Sequence, residues 1–185
     1  MRTTACLIAA LVPLAACDNG PKVSMKNASG NQVAQAVQRS GVMSDNDFMK
    51  PGAWESKATV QQIVIPGMPA EFGDKMKQMF AQHQANATRR CLTAAEMRKP
   101  NEGFFATEDK SCRYDHFTMG RGKIDIRMIC SAAGSTQTTD MTGSYTPQSY
   151  AMQLSSKAEG GPQAGMVMKM HVDARRVGEC TGKEG

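Results

Sequence analysis

Residues 112–130, CRYDHFTMGRGKIDIRMIC, decide the fold. Two strand-like runs, Cys112 to Met119 and Lys123 to Cys130, flank Gly120-Arg121-Gly122. That trio is a three-residue hairpin signal in which Gly122 supplies the positive φ at the end of the loop. Folding about Arg121 sets Cys112 opposite Cys130, Tyr114 opposite Met128, His116 opposite Ile126 and Thr118 opposite Ile124, all on one face. Asp115 then opposes Arg127 on the other face, a favourable cross-strand pair. One register predicts a disulfide, a charge pair and an apolar face together, and a one-residue slip would lose them.

The alternation continues outward from this hairpin. Thr139, Met141, Gly143 and Tyr145 alternate with polar residues up to Thr146-Pro147-Gln148-Ser149, beyond which Tyr150, Met152 and Leu154 return opposite Tyr145, Gly143 and Met141. After Gly160-Gly161-Pro162, Met166, Met168, Met170 and Val172 line one face of a last strand, with Lys169, His171 and Asp173 on the other. Adding Trp54 to Ile65 and the stretch near Cys91 predicts an all-β domain with one or two short helices. Its architecture is an antiparallel up-and-down meander of six or seven strands, strongly curled or closed into a barrel. The domain is expected to span residues 51–181. Within it, Phe72, Met76, Met79, Phe80 and His83 recur at helical spacing, which predicts a helical insert over 71–86. Met76, Met79 and Phe80 of that helix are the candidate lid over one end of the sheet, since thioether-rich surfaces adapt to varied contacts.

The N-terminus reads as an export signal. Arg2 precedes a short apolar run, too short to span a bilayer core of about 30 Å. Leu14-Ala15-Ala16-Cys17 then matches the bacterial lipobox, so residues 1–16 are expected to leave and Cys17 to carry acyl chains. Residues 17–50 are polar and read as a lipidated tether, with room for a short helix at Asn31–Arg39. These features predict a lipoprotein of the bacterial cell envelope, anchored at the periplasmic face of the inner or outer membrane. Palmitate is the expected modification. Four cysteines remain after Cys6 and Cys17. In an oxidising compartment an even count reads as two disulfides. The hairpin claims Cys112 and Cys130, and elimination leaves Cys91 with Cys180. A structural metal would want closely spaced cysteine pairs such as C-x₂-C, which this chain lacks, so neither metal nor cofactor is expected.

The chain resembles the exported proteobacterial family catalogued as domain of unknown function 3617. The resemblance rests on Pro51-Gly52-Ala53-Trp54-Glu55, Pro66-Gly67-Met68-Pro69 and Cys91-Leu92-Thr93. It continues through Cys112, the strand ending in Cys130, Met141-Thr142-Gly143, the Met-x-Met strand and Arg176-Val177-Gly178-Glu179-Cys180. It covers residues 51–180. What it implies is an exported, disulfide-braced β domain, with no activity and no catalytic residues to carry over.

Composition narrows the function classes. In 185 residues the net charge is +5 and aromatics are 5%, with basic residues interleaved among acids. A nucleic-acid binder concentrates charge on one face and offers aromatics for stacking, so nucleic acid is not expected as a partner. No nucleophile elbow, zinc-protease motif, P-loop or C-x-x-C occurs, and His83, His116 and His171 fall on separate elements. An enzyme, an unrecognised hydrolase for instance, is therefore a minor alternative. Met166, Met168 and Met170 invite a Cu(I) reading, but strand alternation puts His171 on the opposite face. Trp54, Tyr114, His116, Tyr145 and Tyr150 are candidate linings of a cavity for an apolar ligand. Three classes stand: a membrane-anchored, non-enzymatic binding or envelope-maintenance module, a carrier of a small apolar ligand or lipid, and an enzyme. The first is the expectation, with an apolar ligand or an envelope protein as its partner. A cavity of several hundred Å³ on the sheet would favour the second, a filled interior the first.

Overall fold

The computed structural model describes residues 20–83, 87–98 and 111–184. The lipobox and Cys17 lie outside them. Eight strands form one antiparallel sheet. They are β1 (Lys22–Ala28), β2 (Gly52–Val64), β3 (Thr88–Leu92), β4 (Cys112–Gly120), β5 (Lys123–Ala132), β6 (Ser135–Tyr145), β7 (Ser149–Glu159) and β8 (Val167–Gly178). Their order across the sheet is β1-β4-β5-β6-β7-β8-β2-β3. Among the described residues three α-helices, α1 (Gly30–Ser40), α2 (Ala70–His83) and α3 (Ala94–Arg98), and a short 3-10 helix at Val42–Ser44 accompany them.

The meander is as expected from β4 to β8, with Tyr145 opposite Tyr150, Gly143 opposite Met152 and Met141 opposite Leu154. The sheet curls but does not close, because β1 and β3 end it as edge strands and do not pair with each other. The barrel alternative therefore falls, and the strand count is eight rather than six or seven.

The extra strand comes from the segment expected to be a tether. β1 pairs with β4 from Lys22 opposite Gly120 to Ala28 opposite Tyr114. Ser29 then caps α1: its Oγ accepts from Gln32 N–H at 3.3 Å, and its own N–H donates to Gln32 Oε1 at 2.8 Å. This reciprocal box satisfies two amides that a helix start leaves unpaired. Gly41, left-handed at φ 75°, ends the helix. Val33 and Val37, one turn apart, are completely buried. They join Val42, Phe48 and Met49 against Val23, Phe117, Met119, Ile124 and Ile126 as the centre of the core. Among the described residues the folded body thus includes Lys22 onward rather than only residues from 51. Composition misled here because two valines suffice to seat a three-turn helix whose other faces are polar.

Both disulfides form as expected, Cys112 with Cys130 and Cys91 with Cys180. The hairpin register needs correction. Cys112 faces Cys130 and Tyr114 faces Met128, but a bulge at Asp115 shifts the pairs nearer the turn by one residue. His116 then pairs with Arg127, Phe117 with Ile126 and Met119 with Ile124. Phe117 and Met119 are buried and His116 and Thr118 are not, the reverse of the expected faces. The extra residue taken up by the bulge shortens the turn to Arg121-Gly122, both left-handed at φ 55° and 70°. Two-residue hairpins favour this geometry because its twist matches that of the strands. The expected Asp115–Arg127 pair gives way to Arg127 Nε–Asp140 at 2.6 Å, one strand further along.

Candidate apolar binding site

On the concave face the inward side chains form crosswise rows, since paired residues of neighbouring strands point to the same side. One row runs Val23, Met119, Ile124, Gly143, Met152, Val172. The rows beside it run Tyr145–Tyr150–Ala174 and Phe117–Ile126–Met141–Leu154–Met170. Every position in these rows carries a side chain except Gly143. A Cβ built there would lie 2.3 Å from Ala151 O and 2.7 Å from Met152 Sδ, so β7 and its methionine lean into the missing space.

Above this point the chain leaves a hollow of about 240 Å³. Phe48 and Met49 roof it over a floor that includes Met119, Ile124, Met152 and Val172. Phe48 meets Tyr145 edge-on at 5.4 Å. Its strap is pinned by Phe48 N–H to Asp45 O at 3.0 Å and Lys50 N–H to Pro147 O at 3.1 Å. Phe48, Met49, Met119, Ile124 and Tyr145 are buried, while Met141, Tyr150, Met152, Leu154 and Val172 keep partial exposure. The hollow is therefore closed toward β4 and β5 and opens over β6–β8. Its only polar tips are phenols. Burial raises the pKa of Tyr145 and Tyr150 above the ordinary tyrosine value, partly offset by hydrogen bonds to Gly122 and Ser56 respectively. Both phenols stay neutral at any physiological pH, and the lining carries no charge.

The candidate lining residues separate in the structure. Tyr145 and Tyr150 line the hollow. Trp54 stands behind it, stacked on Tyr150 at 5.8 Å with its Nε1–H donating to Lys50 O at 3.0 Å. Tyr114 is buried against Phe117 at 5.6 Å, outside the lining. His116 is a correction: the bulge turns it to the outer face, where its Nε2 lies 3.0 Å from Asp125 Oδ1. His171 is likewise on the outer side, 3.0 Å from Asp173 and 3.2 Å from Gln153.

The lid assignment is also corrected. α2 packs on the C-terminal end of β2, with Gly73 against Ile63 O, and it contributes no residue to the hollow. Met76 is half-buried, but Met79 is 58% and Phe80 38% exposed, and none of the three lines the hollow. Phe48 and Met49, which sequence reasoning passed over, do the covering. The signal for them was Asp45-Asn46-Asp47, a turn cluster directly before an apolar pair. Among the described residues the one grouping of metal-ligand types is Cys91, Cys180 and Glu184, and its two thiols are joined in the disulfide.

The glycine is testable. Gly143→Ala is expected to lower stability by about 1–3 kcal/mol, because the new methyl meets backbone rather than a movable side-chain tip. Urea denaturation measures it, and an unchanged midpoint would show that β6 and β7 separate there at no cost.

A curled antiparallel sheet, stapled twice and hollowed under a short strap, defines a small disulfide-braced β domain with an apolar pocket on the sheet. The chain belongs to the family described as protein of unknown function DUF3617, whose model matches residues 49–180. The match begins at Met49, so β1, α1 and Phe48 lie outside it. Neither a curated protein nor a solved structure matches the chain.

Proposed function

We propose that the protein is a lipid-anchored protein of the bacterial envelope, a non-catalytic module that binds one small apolar group in the hollow over Gly143. The observation that carries this reading is the uncharged pocket roofed by Phe48 and Met49. Its volume limits the ligand. A dry cavity of roughly 150 Å³ accepts benzene, whereas whole drug-sized ligands occupy about 300–1,000 Å³. At about 240 Å³ the pocket suits a single ring system or a stretch of one acyl chain, not an entire lipid. Lipid attachment rests on Leu14-Ala15-Ala16-Cys17.

Titration of the Cys17→Ser protein with N-phenyl-1-naphthylamine, which fluoresces in apolar surroundings, tests the pocket. Saturable binding is expected, weakened at least tenfold by Val172→Phe, which fills the mouth. The circular dichroism of the two proteins should match. No saturable binding, or equal binding by a folded Val172→Phe, would overturn the reading. Anchoring is tested separately: Cys17→Ser should move the protein from the membrane to the soluble fraction, and retention in the membrane would refute it.

A further inference from the structure

We propose that the pocket's resident is an acyl chain borne by Cys17 of the same molecule. The inference rests on the reading above, both its apolar pocket and its lipidated cysteine. Its new element is the position of the chain's start. β1 begins at Lys22, and Gly20 already lies beside the side chains of Arg121, in the β4–β5 turn, and of Asp45, in the strap. What the sequence presents as a long tether is therefore three residues from Cys17 to Gly20, at most about 11 Å of extended chain.

The crosswise register fixes where that short leash ends. Lys22, Gly120, Lys123, Ser144 and Ala151 stand in one row from β1 to β7. Ala151 lies between Tyr150 and Met152, both of which line the pocket. Four strand spacings of about 4.8 Å separate Lys22 from Ala151, roughly 19 Å along the sheet and less across its concave face. A long acyl chain reaches about half the hydrocarbon thickness of a bilayer, roughly 15 Å. Leash and chain together exceed the span. A methylene gains nearly the same, about 0.8 kcal/mol, in any apolar surrounding, so affinity per methylene does not decide between pocket and bilayer. Tethering does: a group held on a short linker faces its site at an effective concentration in the millimolar range. An anchor with one chain withdrawn holds the membrane more weakly, because each methylene taken out of the bilayer forfeits about 0.8 kcal/mol of its attachment. Occupancy of the pocket thus sets how firmly the protein is anchored.

The test compares the full-length lipidated protein in vesicles of phosphatidylethanolamine and phosphatidylglycerol with Cys17→Ser, free and mixed with the same vesicles. N-phenyl-1-naphthylamine is the probe, corrected for its signal in vesicles alone. Cys17→Ser is expected to bind in both settings and the lipidated protein at least tenfold more weakly. Inserting a forty-residue Gly/Ser linker before Gly20 of the lipidated protein should restore binding. Equal binding by the lipidated and serine proteins would overturn the proposal while leaving the pocket intact. Vesicles that abolish binding by Cys17→Ser would assign the site to a membrane lipid and overturn it too. Intact mass showing no acyl group on Cys17 refutes the proposal and the lipid anchor while leaving the pocket, and absence of binding by free Cys17→Ser refutes the proposal and the pocket together.

Discussion

Replacing Cys91 and Cys180 together by serine is expected to cost about 4–5 kcal/mol of stability, against about 3 kcal/mol for Cys112 and Cys130. The difference comes from loop size. The first bridge joins residues 89 apart in sequence, the second residues 18 apart. In the chain-entropy account the longer closed loop restricts the unfolded chain more. The native state gives a second reason. Ala53 of β2 pairs with Cys91 on one side and Gly178 on the other, so the bridge clasps the start of β2 between its neighbours. Guanidinium denaturation of both double variants measures the two costs. For a domain of this size the larger corresponds to a fall in Tm of about 10–15 °C. A greater loss from the 112–130 pair would reverse the argument and place the stabilisation in local hairpin geometry.

Val37→Asp is expected to be at least as damaging, at about 4 kcal/mol or more, because it sets an unpaired carboxylate in the core. Val37 is wholly buried together with Val33 under α1, against a centre that includes Phe117 and Met119. Gln35→Asp, on the exposed side of the same helix, should change stability by about 0.5 kcal/mol or less. The pair of variants separates a structural α1 from a tether. Were residues 22–50 a passive leash, both would leave the denaturation midpoint where it is. Near-ultraviolet circular dichroism adds a local readout, since losing the strap that carries Phe48 should free Tyr145 from its edge-on contact.

Much of the fold was legible because strand alternation is a strong signal when one face is apolar. The rows Tyr145–Tyr150 and Met141–Leu154 come directly from period two and a short turn. The disulfides came from the same register and from elimination. The parts that were not legible had local or long-range causes. The bulge at Asp115 leaves no compositional mark, yet it exchanges His116 for Phe117 on the inner face. The apparent Asp115–Arg127 match was a coincidence of spacing that Asp140 supplants. β1 pairs with a strand about ninety residues later, a contact no short window can contain. Ser29-x-x-Gln32, with Gly41 after the last turn, did mark both ends of α1. The pocket was half legible: its tyrosines stood out as aromatics, but its roof depends on how α1 delivers Phe48 to the sheet.

The place of β8 governs how the molecule must be made. It lies between β7 and β2, so among the described strands it alone connects the β2–β3 pair to the meander. A chain emerging N-terminus first can complete the β4–β5 hairpin and oxidise Cys112 with Cys130 as soon as both appear. Cys91 has no such early partner. It waits for Cys180, 89 residues later, with both hairpin cysteines lying between the two in sequence. Maturation is therefore a race between closing the hairpin and mispairing with it. A chain cut before Val167 leaves two half-sheets with no strand to join them.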